Sequence, residues 1–132
     1  GAAIAGCQTA PRSSPGETWI TPAMRAAYQA FHDCGFAHSV EAWDNADCLV
    51  GGLYGVSVGG IFTGESLFYR EPNASKLALL HLIDHLADRG LAWLDIQVIT
   101  PHMEALGAHL IPRDEFLDRL DRERERGLKL FN

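Results

Sequence analysis

The sequence predicts a mixed fold of the α/β (α+β) class, a mainly antiparallel sheet flanked by helices, and three observations carry that prediction. Two runs of β-type residues meet at Gly59-Gly60 within CLVGGLYGVSVGGIFTGESLFYR, Cys48 to Arg70. A Gly-Gly pair between such runs signals an antiparallel hairpin, because a two-residue primed turn needs positive φ, which glycine adopts cheaply. Segments with helical spacing lie on both sides of the hairpin. A short apolar run, Leu91 to Ile99, follows the second of them and reads as one more strand.

Taken in order, GAAIAGCQTA is weakly apolar and lacks the basic start of a signal peptide. These first residues read as the cut edge of something longer or as a strand, and Pro11 to Gly16 (PRSSPG) as a loop. Thr21 is placed to N-cap a helix that starts at Pro22 and carries Met24, Ala27, Tyr28 and Phe31 at helical spacing, with Gly35 ending it. HSVEAW, His38 to Trp43, alternates: Val40 and Ala42 share one face, and Ser39, Glu41 and Trp43 the other. Asp44 to Asp47 turns the chain into the hairpin. Gly51, Gly52, Gly55 and Gly64 interrupt its strands, which predicts bulges or a close approach of backbone or ligand. Beyond it, Glu71 to Ser75 carries turn and cap chemistry, a helix runs from about Ser75 to Arg89, and Gly90 closes that helix. In the Leu91 to Ile99 strand, alternation sets Asp95 and Gln97 on one face, about 6.6 Å apart. A short helix from Pro101 to Leu106 capped by Gly107, a brief strand at Leu110-Ile111 and a charged helix from Arg113 complete the expected order α, β, β, β, α, β, α, β, α.

A chain of 132 residues is one domain by size, and its 47% apolar and 21% charged content is ordinary for a globular protein. Net charge is -6 with neutral histidines, so no electrostatic argument favours a free-standing nucleic-acid binder. Arg113, Arg119, Arg122, Arg124, Arg126 and Lys129 are interleaved with acids near the C-terminal end, a pattern expected of a solvated helix face. Cys7, Cys34 and Cys48 are odd in number and without CxxC spacing, against both a disulfide framework and a zinc site, so a reducing, cytoplasmic setting is expected. No apolar run approaches the roughly 18 residues of a membrane helix.

Polar side chains in apolar strand sequence need a reason. Asp95 and Gln97 form either a cleft wall or a hydrogen-bonded structural network. Glu65, set among Gly64, Ser66 and Leu67, makes a third such group and favours the cleft. His81 and His85, with Asp84 between them, loosely resemble an inverted zincin pattern, but a third ligand is missing and no metal is expected. His32, His38, His102 and His109 read as structural or surface groups. Ser66 lies in GESLF rather than in a nucleophile elbow, and no phosphate-binding glycine motif occurs. Trp19, Trp43 and Trp93 are mostly core candidates, with partial exposure expected of Trp43, which shares a strand face with Glu41.

Together TWI (18–20), HSVEAW (38–43), VGGLYGV (50–56), FTGESLF (62–68), NASK (73–76), LDIQV (94–98) and LGAHLIPR (106–113) resemble the leucyl/phenylalanyl-tRNA-protein transferases. The resemblance covers nearly the whole chain from Thr18 onward. It implies a GNAT-like domain over residues 18–132 that moves Leu or Phe from the 3′ end of an aminoacyl-tRNA to the N-terminal Arg or Lys of an acceptor protein, tagging it for degradation. Asp95 and Gln97 would then be catalytic, and Glu65 would recognise the cationic acceptor terminus. Leu53, Leu67, Leu82 and Leu86 would line an apolar recess for the carried side chain, and Trp43 would stack on the terminal adenosine. No cofactor, metal or membrane is implied. Members of this family carry a smaller domain before TWI, so residues 1–17 are expected to be its remnant and linker. Two alternatives stay open beside the transferase: a short homologue acting on a small amine acceptor, and a module that binds a peptide terminus without catalysis. An acyl-CoA-dependent acetyltransferase is weaker, because no Q/R-x-x-G-x-G/A loop is present.

Overall fold

Gly59 and Gly60 both adopt positive φ, 64° and 81°, and the hairpin they close organises the molecule. A computed structural model describes residues 1–10 and 18–131, so the expected loop at 11–16 lies outside the described residues. The element order is α1 (Ala2–Thr9), α2 (Pro22–Asp33), β1 (Ala37–Trp43), β2 (Leu49–Val58), β3 (Ile61–Tyr69), α3 (Ala74–Asp88), α4 (Pro101–Ala105) and α5 (Arg113–Arg126). The sheet is antiparallel in the order β1-β2-β3.

Register assigns each face its cover. Leu53 pairs with Val40 on one side and Leu67 on the other, and these join Phe62 and the α3 residues Ala78, Leu79, Leu82 and Leu86 in one core. The opposite face offers Tyr54 and Phe68 to Ala3, Ile4 and Cys7 of α1 and to Ile20, with Tyr28 of α2 packed alongside. Alternation along β2 thus produces two apolar layers, as a strand covered on both faces requires.

Helix starts follow their caps. Thr21 Oγ1 accepts from Met24 N (3.2 Å) with Pro22 at the first position, and Thr100 Oγ1 does the same for Met103 N (3.2 Å) before Pro101. Glycine in the left-handed region follows α5 at Gly127. The end of the described chain folds back onto the α3 face: Phe131 stacks on His38 (3.9 Å) and on His85 (4.9 Å), and His85 Nε2 donates to the Leu130 carbonyl (2.8 Å). α5 is fixed by Glu123, 5% exposed, which accepts from Trp93 Nε1 (3.3 Å) and Arg126 (2.6 Å).

Four expectations are corrected. The first residues form a helix, not a strand, because Ala3, Ile4 and Cys7 bury against the sheet. Leu91 to Ile99 is not a strand: it touches the sheet at a single parallel bridge, Thr63 to Asp95. Leu110-Ile111 is irregular, with Leu110 77% exposed. Trp19 is 44% exposed rather than core, whereas Trp43 is half exposed, as its strand face with Glu41 suggested, and Trp93 is half-buried.

Candidate functional site

The glycines inside the hairpin set up the site. Register slips between Tyr54 and Gly55, so that Tyr54 faces Ser66 while Gly55 faces Gly64, and Glu65 is the extra residue of the bulge. Only glycine fits at 55: a Cβ there would stand 2.3 Å from the Thr63 carbonyl oxygen and 2.5 Å from the Phe62 ring. The bulge turns Glu65 out of the ladder, and Tyr28 of α2 donates its hydroxyl hydrogen to Glu65 Oε2 (2.9 Å). Burial, and then the hydrogen bond and charge of Glu65, push the Tyr28 hydroxyl up to about 12, so it stays a donor at neutral pH. Tyr54 meets Tyr28 edge-on, ring centroids 5.0 Å apart. Burial raises its pKa as well, and its hydroxyl has no hydrogen-bond partner among the described residues.

Beyond Glu65, the outer edge of β3 holds the segment that carries Asp95. Asp95 N donates to the Phe62 carbonyl (3.1 Å) and Gly64 N donates to the Asp95 carbonyl (2.7 Å). The Asp95 carboxylate then curls onto its own chain: Oδ1 accepts from Gln97 N (2.8 Å), and Thr63 Oγ1 approaches Oδ2 at 3.5 Å, the outer limit of a hydrogen bond. Gln97 is forced to φ +66°, a left-handed conformation uncommon outside glycine. The regular same-face spacing expected of a strand is therefore replaced by a tight polar turn. Backbone outliers of this kind cluster at working sites.

Asp95 and Gln97 line a cleft of about 750 Å³, the size of a small-molecule site. Its apolar wall includes Ile83 and Leu86 of α3, Met103 and Leu106, and Phe116; Arg113 and Arg119 also line it. Of the four expected recess leucines, Leu86 alone lines the cleft. Leu53 and Leu82 are buried behind it and Leu67 packs half-buried on the same cluster. Glu65 follows Gly64, the backbone partner of Asp95, but does not line the cleft. Trp43 is not brought to it: β1 is separated from β3 by β2, roughly 10 Å across two strand spacings. Trp43 also pairs with Leu49 at the end of the sheet remote from Thr63.

His85 is engaged by Leu130 and Phe131 and so serves packing, whereas His81 is exposed. Among the described residues no three His, Cys, Asp or Glu side chains come together as a metal site would need, and no helix is long and apolar enough to cross a membrane. Sequence reading missed Tyr28 and Glu123. Tyr28 sits on the apolar stripe of α2, where its hydroxyl was the available signal, since a phenol packed against apolar neighbours needs a partner. Glu123 is hidden in a run of solvated charges and offers no local signal.

Residues 1–121 match the sequence model of a family described as leucyl/phenylalanyl-tRNA protein transferase. Proteins named leucyl/phenylalanyl-tRNA–protein transferase are similar to this chain. That of Chromohalobacter salexigens is 53% identical over 120 residues, covering 91% of this chain and 46% of the relative. That of Shewanella frigidimarina is 48% identical over 123 residues, covering 93% and 52%. That of Pseudomonas syringae pv. syringae is 51% identical over 113 residues, covering 86% and 49%. The chain thus spans about half the length of the curated relatives it matches.

Proposed function

The chain belongs to the leucyl/phenylalanyl-tRNA protein transferase family, and from that premise we propose that it transfers Leu or Phe from the 3′ end of an aminoacyl-tRNA to the N-terminal amine of an Arg- or Lys-ended protein. The acceptor nitrogen attacks the ester carbonyl carbon, a C–N bond forms, and the bond from that carbon to the ribose oxygen breaks. The proton lost by the amine ends on the released ribose hydroxyl. Aminolysis of an ester is downhill, so the step needs placement and electrostatic help and is complete without a cofactor.

The residues divide the work by charge. Asp95 supplies the negative charge that favours the ammonium developing on the attacking nitrogen. A primary amide is a very weak base, so Gln97 acts by aligning the amine and contacting the developing oxyanion. Glu65, kept in place by the Tyr28 hydroxyl, takes the guanidinium or ammonium of the acceptor side chain through a charge-assisted hydrogen bond. Leu86, backed by Leu53, Leu67 and Leu82, gives the carried side chain an apolar seat. The substrates set the reaction in the cytoplasm, and the product is a protein marked for degradation.

The observation that supports this reading is the tether of Asp95 to β3 at the wall of an amphipathic cleft. Transfer of labelled leucine from charged tRNA to an Arg-ended peptide tests it. Asp95→Asn is expected to lose about a hundredfold or more in rate, and Glu65→Gln to raise KM for the peptide. Peptide binding without label transfer in the unmodified chain would leave a binding module instead of an enzyme.

A further inference from the structure

We propose that Arg113 is the residue of the cleft that holds a nucleotide phosphate, the one nearest the reacting ester. The inference rests on the aminoacyl-transfer reading and adds to it a contact for the leaving group. Three observations carry it. First, Arg113 lines the same cleft of about 750 Å³ as Asp95 and Gln97, whereas Asp114 and Glu115, its acidic neighbours in sequence, do not. Second, Arg113 forms no ion pair among the described residues, while Arg119, the other arginine of the cleft, is held by Glu115 at 2.6 Å. Third, the one carboxylate lining the cleft among the described residues is not its partner. Asp95 Oδ1 is engaged by Gln97 N, and Thr63 Oγ1 lies against Oδ2.

A cleft with an apolar wall, a polar turn and, among the described residues, one uncommitted guanidinium suits a ligand that is apolar at one end and anionic at the other. An aminoacyl-adenosine ester has that form. Its side chain is apolar, and a single ribose separates the ester from the nearest phosphate. A guanidinium presents a planar fork of donors to two phosphate oxygens, which an ammonium cannot do.

Leucine joined by an amide to 3′-amino-3′-deoxyadenosine, prepared with and without a 5′-phosphate, separates the two halves of the argument by calorimetry on the 132-residue chain. The readout is the ratio of the two dissociation constants. For the unmodified chain the phosphate is expected to tighten binding about tenfold, the low end for a bond to a charged group because Arg113 is exposed. That gain shrinks as salt is raised. The ratio should fall close to one in Arg113→Gln and lie between in Arg113→Lys, which keeps the charge without the fork. Thermal melts accompany both variants, and Arg113→Lys carries the test if Arg113→Gln melts early. A ratio near one in the unmodified chain, or an equal ratio in all three proteins, overturns the assignment of Arg113 and leaves the transferase reading standing. Failure of the phosphate-free analogue as well as the phosphorylated one overturns the transferase reading, and this inference falls with it.

Discussion

Replacing Gly55 by Ala is a one-carbon change whose cost can be worked from the contacts of the bulge. The new Cβ would lie 2.3 Å from the Thr63 carbonyl oxygen and 2.5 Å from Phe62 Cζ, where ordinary contacts begin near 3.4 Å. β3 must therefore retreat by about 1 Å, because the obstacle is backbone and the Phe62 ring is only 1% exposed. Overpacking of this kind costs about 1–3 kcal/mol, and strain on the Gly55–Gly64 and Val56–Thr63 pairs adds about 1 kcal/mol. A total of roughly 2–4 kcal/mol, over an unfolding entropy of about 0.28 kcal/mol/K for 132 residues, lowers the melting midpoint by about 7–14 °C. Both backbone bonds that hold Asp95 end on the displaced residues, Phe62 and Gly64, and a misplacement of about 1 Å can cost on the order of a hundredfold in rate. The assay is thermal denaturation by circular dichroism, with label transfer measured below both midpoints. Gly64→Ala is the control, since its Cβ would meet only the Asp95 oxygen at 3.7 Å, an ordinary contact. A Gly55→Ala protein that melts within about 3 °C of the unmodified chain would refute the reasoning.

Glu123→Ala should destabilise by about 2–3 kcal/mol in urea titration, since it removes a 2.6 Å charge-assisted bond to Arg126 and the Trp93 bond. The figure is held down by solvent reaching Arg126, 44% exposed, and a loss below about 0.5 kcal/mol would show that water replaces the pair. Tyr54→Phe should be neutral or stabilising by about 1–2 kcal/mol, because the hydroxyl it removes is buried without a partner. A clear drop in the urea midpoint would show that the hydroxyl is satisfied after all. His38 is held below the ordinary 6.5 by burial first and then by His32 and His85, against a raising bond to the Gly35 carbonyl. The unfolded chain therefore takes up the proton more readily, so this contribution to stability is intact above about pH 6.5 and falls away as pH drops through the lowered value. His38→Gln should flatten the slope of urea midpoint against pH across about pH 5 to 7; an unchanged slope would place the titration elsewhere.

What could be seen in the sequence was what short-range chemistry decides. The Gly59-Gly60 turn, the Thr21-Pro22 start, the stop after α3 and the bulge-prone glycines of the hairpin are each specified by a few adjacent residues. The Leu91 to Ile99 segment misled because its composition suits a strand, yet the Asp95 carboxylate captures Gln97 N and takes it out of any ladder. Eight residues of α1 are too few to hold a helix alone, and burial of Ala3, Ile4 and Cys7 against a sheet formed much later in the chain decides the matter. The Tyr28 to Glu65 bond spans 37 positions, and no window on the sequence contains both partners.

Among the described residues, two backbone hydrogen bonds fasten residues 92–99 to β3. Trp93 and Leu94 of the same segment pack against the core and Trp93 Nε1 donates to Glu123, so lifting it from β3 must also release those contacts. The reactive carboxylate proposed for this protein is thus placed twice over, by two backbone bonds to the sheet margin and by the seating of Trp93 and Leu94 on the core.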